Sequence, residues 1–323
     1  LAKLRMGVQV ARAAVTGARR PVFVGWQLTD TCNLSCSYCG RWDLGRPELG
    51  HDRMRRLVDE LAEAGVGRLS LTGGEPLVHP LCLELGRRAR AHGIQVSLAT
   101  NGLLVRRHLT ELPAAVDTMV ISIDGDRAHH EANRGPGSYD GAVEGARAAV
   151  AAGIPVNLHC VVTRHNHTAV AAVLDLAGEL GGTAGFAPVG TVAAMGRRDI
   201  GPLLPDARWW RATVDELLRR KAAGDHRIQN STAGLRYLRH WPDYEPILCS
   251  AGHVYARIEP DGKMVGCGNL VLEEGLSLHA LDFGTAFAQL DSRGCEDCWC
   301  DTRVEMNLVL AGDPSALRAA FWR

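Results

Sequence analysis

The sequence predicts an α/β chain: a partial (β/α)6 barrel followed by a small α+β unit. Three observations predict it. Six short, nearly continuous apolar runs alternate with longer segments whose apolar residues recur at helical spacing, the pattern of parallel strands covered by helices. Six units are two fewer than a closed eight-unit barrel needs. The pattern then breaks near residue 225, and the 323 residues suffice for one α/β domain of about 200–250 residues with an appendage. The expected division is a basic N-terminal helix at 1–21, the barrel at 22–225 and the second unit at 226–323.

The elements follow in order. Lys3, Arg5, Arg12, Arg19 and Arg20 lie in a first segment with no acid, which reads as an amphipathic packing helix, with membrane-surface association as the other reading. Candidate strands are Val24–Thr29, Arg68–Thr72, Gln95–Thr100, Thr118–Asp124, Val156–Val162 and Gly185–Val189. Helical patterns cover Asp52–Ala64, His79–His92, Arg106–Leu112, Tyr139–Ala152, Thr168–Leu180 and Asp206–Ala223. Gly65, Gly93 and Gly153 each stand between a helix and a strand, as C-terminal caps do. Further on, His253–Glu259 and Lys263–Cys267 flank Pro260-Asp261-Gly262 and read as a hairpin. A last helix is expected from about Pro314.

Composition excludes several classes. With 36 basic and 36 acidic residues, the chain has no global attraction to nucleic acid or acidic membranes. No apolar run approaches the roughly 20 residues that span a bilayer, and the N-terminus lacks the apolar core of a signal peptide. A cytoplasmic location is expected. The ten cysteines then point to metal binding rather than disulfides, because the cytosol is reducing. Eight of them form two groups. Cys82 and Cys160 stand alone in apolar segments and read as buried thiols.

The first group is Cys32, Cys36 and Cys39, spaced Cys-x3-Cys-x2-Cys just after the first strand. Three thiolates on one tight loop can hold three irons of a [4Fe–4S] cluster and leave the fourth open. A structural zinc would need a fourth ligand close by, and His51 lies beyond a loop containing proline and glycine. With Tyr38 before the last cysteine, Gly73-Gly74-Glu75-Pro76 ending the second strand, Thr100-Asn101-Gly102 ending the third, Ile121-Ser122-Ile123-Asp124-Gly125 ending the fourth and Arg134-Gly135 beyond it, the chain resembles the radical S-adenosylmethionine (radical SAM) superfamily across most of residues 22–190.

That resemblance implies a [4Fe–4S] cluster on Cys32, Cys36 and Cys39 whose open iron binds S-adenosyl-L-methionine. It implies cofactor contacts from Tyr38, Gly73, Gly74, Glu75, Asn101, Ser122, Asp124 and Arg134. Glu75 falls in the motif for the methionyl amino group, and Ser122 and Arg134 are candidates for the ribose or carboxylate. It implies an enzyme that cleaves the cofactor to a 5′-deoxyadenosyl radical, with an electron donor such as a flavodoxin or ferredoxin, and a protein that binds, orients and shields.

The second group is Cys249, Cys267, Cys295, Cys298 and Cys300. It resembles the SPASM and Twitch domains that follow many radical SAM barrels, and five cysteines match the shorter Twitch form with one auxiliary [4Fe–4S] cluster. Cys249, Cys267, Cys295 and Cys298 match its spacing best, and Cys300 competes with Cys298 for the last place. A structural zinc site on the same thiolates is the alternative.

Three functions are weighed. The leading one is hydrogen abstraction from an unidentified substrate, small molecule or peptide, with net two-electron oxidation when the auxiliary cluster takes the remaining electron. The Twitch-bearing aminocyclitol dehydrogenase is the precedent whose layout this chain resembles. The second is modification of a ribosomally made peptide; the short segment before the first strand, against a peptide-binding domain of about 80 residues in many such enzymes, weighs against it. The third, a two-cluster electron carrier, leaves the Gly-Gly-Glu-Pro turn unexplained. Asn157 and His159 alternate along the fifth strand and are the catalytic or substrate-contacting candidates inside the barrel.

Overall fold

The computed structural model describes residues 2–190, 199–268, 274–290 and 298–321. The first helix, α1 (Ala2–Thr16), leads to β1 (Phe23–Gln27), and the chain then alternates: α2 (His51–Glu63), β2 (Arg68–Thr72), α3 (Cys82–Ala91), β3 (Gln95–Thr100), α4 (Leu112–Ala115) and β4 (Thr118–Ser122). After α5 (Arg127–Arg134) and α6 (Ser138–Ala151) come β5 (Val156–Val162), α7 (Val170–Glu179) and β6 (Thr183–Pro188). The remainder holds α8 (Ala207–Ala222), α9 (Thr232–Leu238), β7 (Tyr255–Ile258), β8 (Lys263–Val265), β9 (Leu276–Ser277), α10 (Phe283–Gln289), α11 (Asp301–Leu310) and α12 (Pro314–Phe321).

Among the described residues nine strands form one sheet in the order β6-β5-β4-β3-β2-β1-β7-β8-β9. The strands from β1 to β6 are parallel neighbours, so a partial six-unit barrel is present. β7 adds to β1 in parallel, and β8 and β9 turn back antiparallel. The hairpin around Pro260-Asp261-Gly262 is thus an extension of the barrel sheet.

Two faces follow from the register. Trp26, Leu71, Leu98, Met119 and Val156 form one continuous row and are all buried with the helices. Each such side chain contributes about 1.5–3 kcal/mol of burial, so this outer face carries the fold. The inner face differs. Ser122, His159 and Gly185 form a row across β4, β5 and β6, and β2, β4 and β5 alternate buried with half-buried positions. Strands that read as apolar on both faces therefore keep a polar, partly accessible inner side.

The expected helix at Arg106–Leu112 is instead a 3-10 turn at Val105–His108 followed by α4. Pro113 lacks an N–H and sits at the start of α4, where that loss is tolerated, so it begins a new helix there. The helix expected from His79 starts at Cys82, because the His79 ring nitrogen Nδ1 accepts the Leu81 N–H at 3.1 Å and holds a turn there. Gly65, Gly93 and Gly153 all adopt positive φ beyond their helices, as C-terminal caps require.

The basic N-terminal segment is a packing helix. Met6, Val10 and Ala13 are buried with Val254, Tyr255, Met306, Val309 and Leu310, and Gln9 Nε2 donates to the Gly65 carbonyl at 3.0 Å. Met6, Val10 and Ala13 of this helix thus face protein. Among the described residues no helix is long and apolar enough to cross a membrane.

Candidate active site

The cysteine loop leaves the C-terminal end of β1. Within it the Cys39 N–H donates to the Cys36 carbonyl at 3.1 Å and the Leu34 N–H donates to Cys32 Sγ at 3.4 Å. The Ser37 N–H and hydroxyl both donate to the Asn133 carbonyl, at 2.8 and 3.1 Å. Burial pushes the Cys32 thiol up to about 11, against the Leu34 N–H that favours thiolate. Burial likewise raises Cys36, opposed by the Arg134 guanidinium. Thiols held neutral by burial release their protons when a metal takes their place.

The Gly73–Glu75 turn is stitched to the strand end preceding those cysteines. The Gly74 N–H donates to Thr29 O at 2.7 Å and the Glu75 N–H to Thr31 O at 2.9 Å. A Cβ on Gly74 would collide with the carbonyls of Asp30 and Thr31; only glycine permits this approach. Glu75 is fully buried. It accepts from the Leu77 N–H at 3.1 Å, the Thr100 hydroxyl at 2.7 Å and the Asn101 N–H at 2.8 Å. One carboxylate thus ties together the C-terminal ends of β2 and β3. Burial raises its pKa, and the three donors oppose that rise. Asn101 Nδ2 in turn donates to Asn33 Oδ1 at 2.7 Å, beside Cys32.

Asp124 anchors the other side. It is completely buried and accepts from Arg134 Nε at 2.7 Å and Nη2 at 3.2 Å, the Tyr38 hydroxyl at 3.2 Å and the Val161 N–H at 3.0 Å. The Arg134 guanidinium lies 5.6 Å from the Tyr38 ring centroid, within cation–π range. Asn166, missed by the sequence reading, donates to the carbonyls of Asp124 and Val161 at 2.7 and 2.9 Å. So Tyr38, Asp124 and Arg134 come together as one buried unit against the cysteine loop, and Ser122 faces the inner side of β4 next to His159.

A second charged group joins the loop to β7. Arg46 bridges Asp30 at 2.8 Å and Glu259 at 2.7 Å, while Arg41 meets Glu259 at 3.0 Å and Arg257 meets it at 2.5 Å. Three arginines around two buried carboxylates hold Glu259 well below the usual carboxylate range; burial opposes this, and Arg257 is the leading favourable cause.

Cys249 and Cys267 pack in one small cluster with Ala251 and Val265. Cys298 is buried and accepts from Asn307 Nδ2 at 3.4 Å, and Asn307 Oδ1 accepts the Ser250 N–H at 2.8 Å. The carboxamide thereby links Cys298 to the residue after Cys249. Cys300 is exposed, and Cys295 lies outside the described residues. Among the described residues no three Cys, His, Asp or Glu side chains converge as around a single ion; in a four-iron cluster each thiolate takes a different iron.

Both catalytic candidates lie on the inner side of β5. Asn157 Oδ1 accepts the Thr183 hydroxyl at 2.7 Å. His159 Nε2 meets Asp301 Oδ1 at 3.2 Å. Sequence reading missed Asp301; its one local signal is an acid in the first turn of a helix.

A profile described as the radical SAM superfamily matches residues 26–177. The mycofactocin maturase MftC of Mycobacterium ulcerans is 30% identical over 286 residues, covering 83% of this chain and 74% of that protein. The AdoMet-dependent heme synthase of Methanosarcina barkeri is 35% identical over 178 residues, 53% of this chain and 50% of that one. Among solved structures, Streptococcus suis SuiB bound to S-adenosylmethionine superposes with a TM-score of 0.66 at 15% identity, covering 95% of this chain and 78% of SuiB; this is a likeness of fold. The chain belongs to the radical SAM superfamily. It spans half the length of the heme synthase it matches.

Membership implies a [4Fe–4S] cluster and S-adenosylmethionine, and the residues present fit them. Three thiols stand on one loop, and the glycine turn is locked beside them with its carboxylate already satisfied by protein donors.

Proposed function

We propose that the chain is a radical SAM enzyme that abstracts hydrogen from a peptide substrate. The observation that carries this reading is the Cys32–Cys39 loop, held between the Gly73–Glu75 turn and the Tyr38–Asp124–Arg134 unit. The likeness to MftC over 83% of the chain supports the peptide, and SuiB has also been solved bound to its precursor peptide.

In this reading Cys32, Cys36 and Cys39 hold the cluster, which together with the bound cofactor supplies a 5′-deoxyadenosyl radical. Gly73, Gly74 and Asn101 offer backbone and amide groups for the methionyl end, with Ser122 toward the ribose. Glu75 fixes the turn that presents them. Tyr38, Asp124 and Arg134 hold the loop still, so that little reorganisation is needed at reaction. The barrel at 22–225 excludes water.

The unit at 226–323 is the SPASM/Twitch-like part, with an auxiliary [4Fe–4S] cluster on Cys249, Cys267 and Cys298 completed by Cys295 or Cys300. An electron donor such as a flavodoxin or ferredoxin and a cytoplasmic location belong to the same reading. A second reading, two-electron oxidation of a small molecule, is favoured by the likeness to the heme synthase.

Anaerobically reconstituted, dithionite-reduced protein should release 5′-deoxyadenosine from S-adenosylmethionine, and Cys36→Ala should abolish the release. Undiminished cleavage in that variant would overturn the assignment. A mass change in a precursor peptide encoded beside the gene separates the peptide reading from the small-molecule one.

A further inference from the structure

The inner face of the sheet carries one acid–base pair that the cluster and cofactor reading does not use. His159 stands in the middle of β5, in the row Ser122–His159–Gly185. Its neighbours Leu158 and Cys160 point to the buried outer face, whereas the His159 side chain keeps 27% of its surface exposed. Nε2 is taken by Asp301, and among the described residues no hydrogen bond reaches Nδ1.

Asp301 comes from 142 positions away, as the first residue of α11, directly after Cys300. It reaches the imidazole over Gly185. A Cβ there would stand 3.0 Å from Asp301 Oδ2 and 3.2 Å from Gln229 Oε1. Glycine at this place is thus the condition for the contact, because any larger residue would push the carboxylate away.

We propose that His159 and Asp301 form a dyad facing the barrel interior, in which His159 Nδ1 accepts a hydrogen bond or proton from an N–H or O–H group of the bound substrate and Asp301 is its positioning residue. A carboxylate on one imidazole nitrogen fixes the tautomer and leaves the other nitrogen as an acceptor. The step is balanced without an electron: the proton moves from the substrate to Nδ1, and the imidazolium keeps its Nε2–H on the Asp301 carboxylate. The substrate class is one that presents an N–H or O–H donor to β5, which a peptide does. The inference rests on the inner face being the substrate chamber.

The charged groups around His159 are Asp301 from α11, Asp124 at the end of β4 and Arg134 from α5. Burial favours the neutral ring and Arg134 acts the same way; the two carboxylates outweigh them, and the histidine titrates above its ordinary value. A ring shifted upward is a stronger acceptor once neutral.

The test is acylation by diethyl pyrocarbonate, which attacks accessible neutral imidazole nitrogens, on the anaerobic holoprotein with peptide mapping at pH 6–8. His159 should be modified, with a midpoint above the ordinary value of about 6.5. Asp301→Asn should lower that midpoint by about one unit and speed modification at pH 6 about fivefold. Gly185→Ala should act in the same direction by displacing Asp301 while leaving both dyad residues in the sequence. Iron and sulfide content of each variant reports intact folding.

The proposal is overturned if His159 stays unmodified across the range while exposed histidines react. It is equally overturned if both variants with wild-type iron leave the midpoint in place. Release of 5′-deoxyadenosine by the wild type is measured separately, so failure of the dyad and failure of the radical reading give different results.

Discussion

Replacing Asp124 with asparagine preserves shape and removes one charge at a point where several donors converge. The carboxylate is completely buried and receives four hydrogen bonds, two from Arg134, one from Tyr38 and one from the Val161 N–H. Asparagine leaves the Arg134 guanidinium buried without its counter-charge and turns one acceptor into an N–H2 among donors. Breaking a buried pair from one side costs about 3–5 kcal/mol, a large part of the roughly 5–15 kcal/mol that holds a domain folded. The loss should appear as a lower urea midpoint by tryptophan fluorescence. It should be accompanied by lower iron content, because Asn133, next to Arg134, anchors Ser37 between the cysteines. The double variant Asp124→Asn with Arg134→Gln replaces ion pair by neutral pair and should recover on the order of 1–3 kcal/mol as the coupling between the sites. A single-variant loss below about 1 kcal/mol, the net value of an ordinary hydrogen bond, would refute the reasoning. So would a double variant whose loss equals the sum of the singles.

Three other outcomes follow from the same geometry. Glu75→Ala should weaken S-adenosylmethionine binding by calorimetry with iron near normal, since three donors at the ends of β2 and β3 lose their acceptor; unchanged binding would make the turn independent of its carboxylate. Burial lifts Glu305 to about 7 from 4.5, so the folded chain binds more protons than the unfolded one in that window and stability falls as pH rises from 4.5 to 7, by on the order of 2 kcal/mol after solvent screening. Glu305→Gln, which keeps an acceptor for the Ser231 N–H, should flatten that slope in urea midpoints taken across pH. Replacing Cys249 and Cys267 by alanine should lower iron from about eight to about four per chain with cofactor cleavage retained, whereas four irons and one zinc in the parent would make the second unit structural.

The parts of this fold that could be read in the sequence are those set by neighbours in the chain. β2, β3 and β5 were legible to the residue because each is an apolar run bounded by glycine, proline or a charged turn. The placement of Cys32, Cys36 and Cys39 on one loop was legible because the three lie so close together in the chain. α5 was missed for a physical reason: its buried residues are His130, Asn133 and Arg134, so it is held by hydrogen bonds to Asp124 and Ser37 rather than by an apolar stripe that periodicity could detect. The joining of β7 to β1 was invisible too, since a short strand beyond residue 250 carries no sign of which edge it will choose.

Asp301 is the clearest case of information that only the fold supplies. In the sequence it follows a cysteine, in the first turn of a helix, where an acid needs no further explanation. In space it leans over Gly185 to the imidazole of β5, while the same helix presents Asn307 to Cys298 and the Ser250 backbone. Six residues apart on one stiff helix, Asp301 and Asn307 connect the interior of the barrel with the C-terminal cysteines. One helix therefore supplies both the carboxylate that meets His159 and the carboxamide that meets Cys298.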